Sequence, residues 1–184
     1  PQHYQFMKDQ YPEIYAKIKE AIKSGNWEVQ GGMWVEADCN LISGESMVRQ
    51  LLHGKNFFKD EFDIVVDNLW LPDVFGYSAA LPQILKRAGV NYFLTQKLSW
   101  SQFNDFPHQT FNWRGIDGTE ILTHFPPENT YNSELDTEFL LPAQKGFKEK
   151  DRLNEFISLF GVGDGGGGPK PENIELGRRM SNLE

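Results

Sequence analysis

A β-branched run, Ile64-Val65-Val66, leads into the stretch Asn68 to Ser78, NLWLPDVFGYS, and an apolar helical pattern, Ala79 to Ala88, leads out of it. The order of apolar run, polar turn and helix predicts a βα unit. Between the two apolar segments stands one carboxylate, Asp73, flanked by Pro72, Phe75, Gly76 and Tyr77. In α/β folds a turn of this kind lies where loops converge on the mouth of the sheet or barrel, and that end carries the chemistry. The structural alternative is that Asp73 caps the next helix or holds its turn, as aspartate often does.

The same alternation runs along the chain. Pro12 in a first turn and Ile14, Ile18 and Ile22 at four-residue spacing predict a helix over 12–24, stopped by Ser24-Gly25. Trp27 to Val35 reads as a strand, interrupted by Gly31-Gly32, a pair that implies close backbone approach. The polar cluster Glu36-Ala37-Asp38-Cys39-Asn40 follows directly. Ser43 or Gly44 then opens a helix to about Lys59, with Met47, Leu51 and Leu52 on its buried side.

Ile64 to Asn68 is the next strand, 79–88 the next helix, and Asn91 to Gln96 a further strand, followed by the polar pair Gln96-Lys97. Thr110 to Trp113 and Glu120 to Phe125 flank Gly115-Ile116-Asp117-Gly118, and Asp-Gly between strand-like runs signals a hairpin. Pro126 to Asn132 is an irregular turn. Leu153, Phe156, Ile157 and Phe160 fall in helical register, and Glu172 to Leu183 reads as a last helix. A β–α–β–α alternation about every 30 residues predicts an α/β chain, with a parallel sheet or a parallel β/α barrel segment.

At 184 residues the chain suits one domain with a real core. Its 26 acidic and 18 basic residues give a net charge of −8, which argues against a nucleic acid or an anionic membrane as partner. No apolar run approaches the ~20 residues that span a bilayer, and the N-terminus lacks a basic-then-apolar signal pattern. Cys39 is the only cysteine, so no internal disulfide forms. One thiol and no signal suit the cytoplasm. The chain starts at Pro1 in what looks like mid-sequence and reads as an excised piece of a longer protein that at full length could be a homo-oligomer.

Two features invite a chemical reading. GVGDGGGGPK, Gly161 to Lys170, suggests a phosphate loop, but the spacing fits neither a P-loop nor a dinucleotide fingerprint. Consecutive glycines serve as well to let the main chain pass close to another element, with Asp164 as the functional side chain. The acids Glu36, Asp38, Asp73 and Asp164 all fall where a predicted element ends in a loop. Converging carboxylates are what glycosidic cleavage requires, one to attack or stabilise the anomeric carbon and one to protonate the leaving oxygen. Trp34, Trp70, Phe75, Tyr77 and Tyr131 could stack on sugar rings, although Trp70 and Phe75 suit the core better. The four histidines, His3, His53, His108 and His124, form no ligand pair, and a complete zinc site cannot be read from this chain.

GGMWVEADCNLISGESMVRQLLHG, NLWLPDVFGYSAALPQILKRAGV and GVGDGGGGP together resemble the catalytic domain of the α-mannosidases of glycoside hydrolase family 38, its cytosolic and bacterial branch above all. The resemblance covers nearly the whole chain, and WLPDxFGYS is specific for the family. It implies that residues 1–184 are an incomplete portion of a single β/α catalytic domain. It implies hydrolysis of α-mannosidic bonds in mannose-containing oligosaccharides by a retaining, zinc-dependent mechanism. Asp73 would be both nucleophile and zinc ligand. The other zinc ligands, a His-x-Asp pair and a further histidine, would lie outside this chain.

The family places its acid/base in a variable segment after the strand ILTHF, where Glu128, Glu134 and Asp136 are candidates. Lys97, Tyr131 and Trp34 fall near family positions that contact substrate or hold carboxylates ionised. Negligible activity is expected of the isolated fragment. From a different class, the alternative is a non-catalytic carbohydrate-binding or scaffold module whose acids and aromatics only bind sugar.

Overall fold

The computed structural model describes residues 1–164 and 166–181. Chain contacts divide them into two compact units, Pro1–Leu94 with Asn112–Leu122, and Thr95–Phe111 with the described residues from Thr123 onward. Helices α1 (Gln2–Gln10), α2 (Pro12–Lys23), α3 (Gly44–Phe62) and α4 (Leu81–Arg87) belong to the first unit. Helices α5 (Thr137–Gly146) and α6 (Pro171–Met180) belong to the second. Strands β1 (Asn68–Leu71), β2 (Tyr92–Thr95), β3 (Thr110–Arg114) and β4 (Glu120–His124) form one sheet in the order β1-β2-β4-β3.

In the first unit, α2 has Pro12 in its first turn, where a missing amide hydrogen costs nothing. Its inner side is Tyr15, with Ile18 and Ile22 half-buried, while Ile14 faces solvent. Ser43 caps α3 by accepting a hydrogen bond from the Ser46 amide at 3.2 Å. Met47, Leu51, Phe57 and Phe58 of α3 are buried, but Leu52, expected inside, is half exposed.

The strand expected over 27–35 does not form. Its backbone amides are taken by α3 instead, since the Trp34 amide donates to the Gln50 carbonyl at 2.9 Å and the Val35 amide to Gln50 Oε1 at 2.9 Å. Gly54 makes this contact possible. A Cβ at that position would stand 2.3 Å from the Gly32 oxygen and 2.8 Å from the Trp34 nitrogen. The close approach expected at Gly31-Gly32 is seen at Gly32 against α3, while Gly31 lies beside β1, its amide donating to Asn68 Oδ1 at 3.0 Å.

The strand expected at Ile64 begins four residues late, at Asn68. Asp63 ends α3 in the left-handed conformation (φ 57°), and Val66 then buries its side chain while its carbonyl accepts from Lys55 Nζ. From Asn68 onward side chains alternate, with Leu69 and Leu71 inside. They join Leu51, Leu81, Leu85, Val90 and Ile121 in the main core of this unit, each worth about 1.5–3 kcal/mol for full burial. β3 and β4 form the expected hairpin, closed by the Gly115 amide on the Thr119 carbonyl at 2.8 Å with Gly118 at φ 84°. Neighbours joined this tightly run antiparallel, so the sheet contains at least one pair that a purely parallel arrangement would lack.

In the second unit, Phe106, Phe111 and Phe125 pack in tilted and edge-on contacts with centroids 5.1–5.3 Å apart. The Glu149 carboxylate ties this cluster down by accepting from the Gln109 amide at 3.1 Å and the Thr110 amide at 2.9 Å. No helix forms over Leu153 to Phe160. The Ile157 amide donates to His124 Nε2 at 3.3 Å, and the Leu159 carbonyl accepts from the Ser133 amide at 2.8 Å. A helix ladder would have consumed both groups. The last helix, expected over 172–183, is Pro171–Met180, and Leu183 lies outside the described residues.

Candidate active site

The turn that follows β1 carries Asp73 at the surface. It is not the cap of the next helix. Helix α4 starts at Leu81 behind Ala80, without a side-chain cap bond, and the Ala80 amide is taken by Ser78 Oγ at 3.2 Å. The Asp73 backbone amide donates instead to the Glu36 carboxylate. A second contact joins the same two segments, where the Asn40 side-chain amide lies against Gly76. A Cβ at Gly76 would stand 2.9 Å from Asn40 Nδ2, and its φ of 149° suits glycine. The polar cluster after residue 35 and the turn after β1 are therefore two sides of one surface in the first unit.

The other side chains of this surface have separate duties. Asp38 Oδ1 accepts from the amides of Asn40 at 2.8 Å and Leu41 at 2.9 Å, which shapes its own loop. Tyr77 donates its hydroxyl to the Val74 carbonyl at 3.0 Å and packs edge-on against Phe93 at 5.1 Å. Phe75, expected in the core, is instead 60% exposed beside Asp73. Trp34 is held by packing, with its indole N–H on Gln2 Oε1 at 2.6 Å and its ring edge-on to Phe57 at 5.6 Å. Cys39 is buried, and burial, helped by Asp38 and Glu36, pushes its thiol up to about 11. At neutral pH it is an unreactive thiol.

In the second unit, Lys97 opens a 3-10 turn (Lys97–Trp100) and is almost fully buried. Its ammonium lies 4.0 Å from the ring centre of Trp100 and 4.9 Å from that of Tyr131. Two aromatic faces provide the negative potential that a desolvated ammonium needs. Lys97 and Tyr131, nominated separately by the sequence, thus belong together.

The three acid/base candidates differ in environment. Asp136 caps α5 by accepting from the Phe139 amide at 3.0 Å. Glu134 binds Lys170 Nζ at 3.1 Å and Asn173 Nδ2 at 3.2 Å, and those partners hold its carboxyl below the usual range. Glu128 is half-buried and receives Ser158 Oγ on Oε1 at 2.6 Å. Its other oxygen, Oε2, is buried without a hydrogen-bond partner. Burial raises the Glu128 pKa, against a smaller lowering by Ser158. Asp164 is exposed on the glycine-rich loop.

Among the described residues, no three His, Cys, Asp or Glu side chains stand together as a metal site. Among the described residues, no helix is long and apolar enough to cross a membrane.

These features describe a mixed α/β protein with a carboxylate-bearing surface loop after a strand. The whole chain, residues 1–184, matches the glycosyl hydrolases family 38 N-terminal domain, and it belongs to that family. It is 51% identical to alpha-mannosidase G of Dictyostelium discoideum, over 95% of this chain and 16% of that protein. It is 47% identical to the human alpha-mannosidase 2C1, over 100% of this chain and 18% of that protein. The chain thus spans less than a fifth of the curated relatives it matches. An alpha-mannosidase from Enterococcus faecalis V583 superposes with a TM-score of 0.67, covering 95% of this chain and 20% of that one at 20% identity. At that identity the likeness speaks for the fold alone.

Proposed function

We propose that this chain supplies the nucleophile-bearing segment of a retaining α-mannosidase acting on mannose-containing oligosaccharides. The observation that carries the reading is the Asp73 carboxylate, exposed on the turn after β1 with its backbone fixed by Glu36 and no helix to cap. It is supported by the names of the relatives, which are α-mannosidases. We assign the segment to a β/α barrel of the longer protein, and that protein to the cytoplasm.

In the proposed reaction an Asp73 oxygen attacks the anomeric carbon as the glycosidic C–O bond breaks, and an acid donates a proton to the leaving oxygen. The same group, now a base, takes a proton from the water that releases mannose and restores the carboxylate. Of the three candidates Glu128 suits this role best, because a buried carboxyl holds its proton longer and Glu134 and Asp136 are already engaged. Retention requires the two carboxyls about 5–5.5 Å apart. Lys97 and Tyr131 are assigned to substrate binding. Trp34, held in packing, has the weakest claim to that role. Zinc is a separate matter. Asp73 would be the donor from this chain, and the described residues alone do not complete a metal site.

The test is Asp73→Asn in the full-length protein with an aryl α-mannoside. A nucleophile variant folds and loses turnover by several orders of magnitude, whereas in a sugar-binding module the change merely weakens affinity. Trapping the covalent intermediate with a fluorinated mannosyl fluoride and mapping the labelled peptide should return the peptide containing Asp73. Label on any other carboxylate removes the assignment.

A further inference from the structure

The second unit holds a cleft of about 330 Å³ that the proposed chemistry does not use, with Gln96, Phe103, Phe106, His108, Asn129 and Lys148 among its lining residues. Its volume lies at the lower end of the range for small-ligand sites, roughly 300–1,000 Å³. Gln96 is only 3% exposed. Its amide N–H groups go to Ser99 Oγ at 2.9 Å and to the Asn129 carbonyl, which fixes the orientation of the amide. The carbonyl oxygen Oε1 is left without a hydrogen-bond donor. A buried acceptor in that state is desolvated without compensation, so a group that supplies a donor is strongly favoured there.

The charges around the cleft are already matched. Lys148 Nζ binds Asp105 at 2.8 Å and also the Phe106 carbonyl, and His108 binds Glu149 at 3.0 Å. What remains for a ligand is neutral, namely amides, serine hydroxyls and phenyl rings. Phe103 at the rim is 91% exposed, and Phe106 is 40% exposed above the Phe111–Phe125 pair. An anion finds no free cation among these lining groups. A lipid tail finds too many amides. A neutral ring with hydroxyls on its edge and C–H groups on its face matches both parts.

We propose that this cleft is a second carbohydrate subsite, taking one neutral hexose ring of a glycan, with a ring hydroxyl donating to Gln96 Oε1 and the ring face resting on Phe103. It rests on the glycan reading above and adds where a distal sugar of a longer substrate is held.

The full-length protein with Phe103→Ala tests it, because an exposed ring can be removed without disturbing the core. In an Asp73→Asn background, which blocks turnover, titration with a mannose oligosaccharide followed by saturation-transfer NMR gives the affinity. Phe103→Ala should weaken it about five- to tenfold. In the active protein the same change should raise KM for the oligosaccharide by a similar factor and leave an aryl α-mannoside unchanged. Gln96→Met, removing the acceptor, should act in the same direction. Oligosaccharide affinity and KM that ignore Phe103→Ala overturn the subsite. So does a fall in Tm with unchanged binding, which would mean that other protein fills the cleft. A parent inactive on every mannoside that still binds the oligosaccharide through Phe103 overturns the hydrolytic reading and keeps the subsite.

Discussion

The backbone amide of Asp73 donates to the carboxylate of Glu36, a residue 37 positions earlier in the chain. The exposed acid on the turn after β1 is thus held from the side by another exposed acid. Amide-to-carboxylate bonds are charge-assisted and stronger than neutral ones.

Glu36→Ala should therefore loosen the turn. The expected cost is about 1.5–3 kcal/mol at most, as for hydrogen bonds to charged groups, and on the proposed reaction kcat of the full-length protein should fall with little change in KM. Glu36→Gln keeps an acceptor and should retain most of both. Thermal unfolding and aryl mannoside kinetics check the pair. Equal behaviour of the two variants would show that the contact does not position Asp73.

Glu128 makes a prediction in pH. Its pKa is raised, first by burial, so the folded form prefers the protonated acid. That preference contributes stability below the ordinary glutamate value, and the contribution is lost as pH rises through the raised value in the fold. Glu128→Gln should flatten this loss in urea titrations across that window. If Glu128 is also the proton donor, the variant loses about 10²–10⁴-fold on substrates with poor leaving groups, and the alkaline limb of its rate profile disappears.

Glu61 gives the opposite sign. Its carboxylate collects Lys8 Nζ at 2.5 Å, the Tyr15 hydroxyl at 2.8 Å and Lys19 Nζ at 3.2 Å. Those bonds, Lys8 foremost, lower its pKa to about 2. The stabilisation is present above the ordinary glutamate value and drains away as pH falls toward 2. Tyr15→Phe should cost about 1–2 kcal/mol at pH 7, and the difference from wild type should narrow in acid. Denaturant midpoints at the two pH values measure it.

Two glycines of α3 should respond in opposite ways. Gly54→Ala places a methyl 2.3 Å from the Gly32 oxygen and 2.6 Å from the Met33 carbonyl carbon, all of it backbone that cannot step aside. The expected loss is about 3 kcal/mol or more, beyond an ordinary overpacking penalty. Gly44→Ala meets nothing within 4 Å and should stabilise by up to about 1 kcal/mol through helix propensity. Calorimetry on both variants is decisive.

Local signals in the sequence are legible where the structure is local. Ser43 as a cap, Pro12 in a first turn and Asp117-Gly118 in a hairpin each act through neighbours within a few residues. Periodicity misled where a distant partner took over the backbone. Trp34 and Val35 give their amides to α3, and Ile157 gives its amide to His124, so a strand and a helix written in the pattern are absent. Helix α5 is not legible in the pattern although Asp136 and the Phe139 amide form a standard N-cap, because Pro142 inside it hides the period. The placement of Asp73 on an exposed turn after a strand is legible from its turn. Glu36 was legible as a loop acid, but its hold on Asp73 was not, since nothing in a one-dimensional pattern joins residues so far apart. The buried oxygens of Glu128 and Gln96 are likewise products of packing alone.

The bond between Asp73 and Glu36 also limits how this surface can be borrowed. An engineer who transplants the WLPDVFGYS segment into another scaffold moves the acid and its aromatic neighbours but leaves the anchoring loop behind. A faithful graft has to carry Glu36 to Asn40 as well, so that Glu36 can receive the amide and Asn40 can meet Gly76. The transferable unit is a pair of loops, and neither is sufficient by itself.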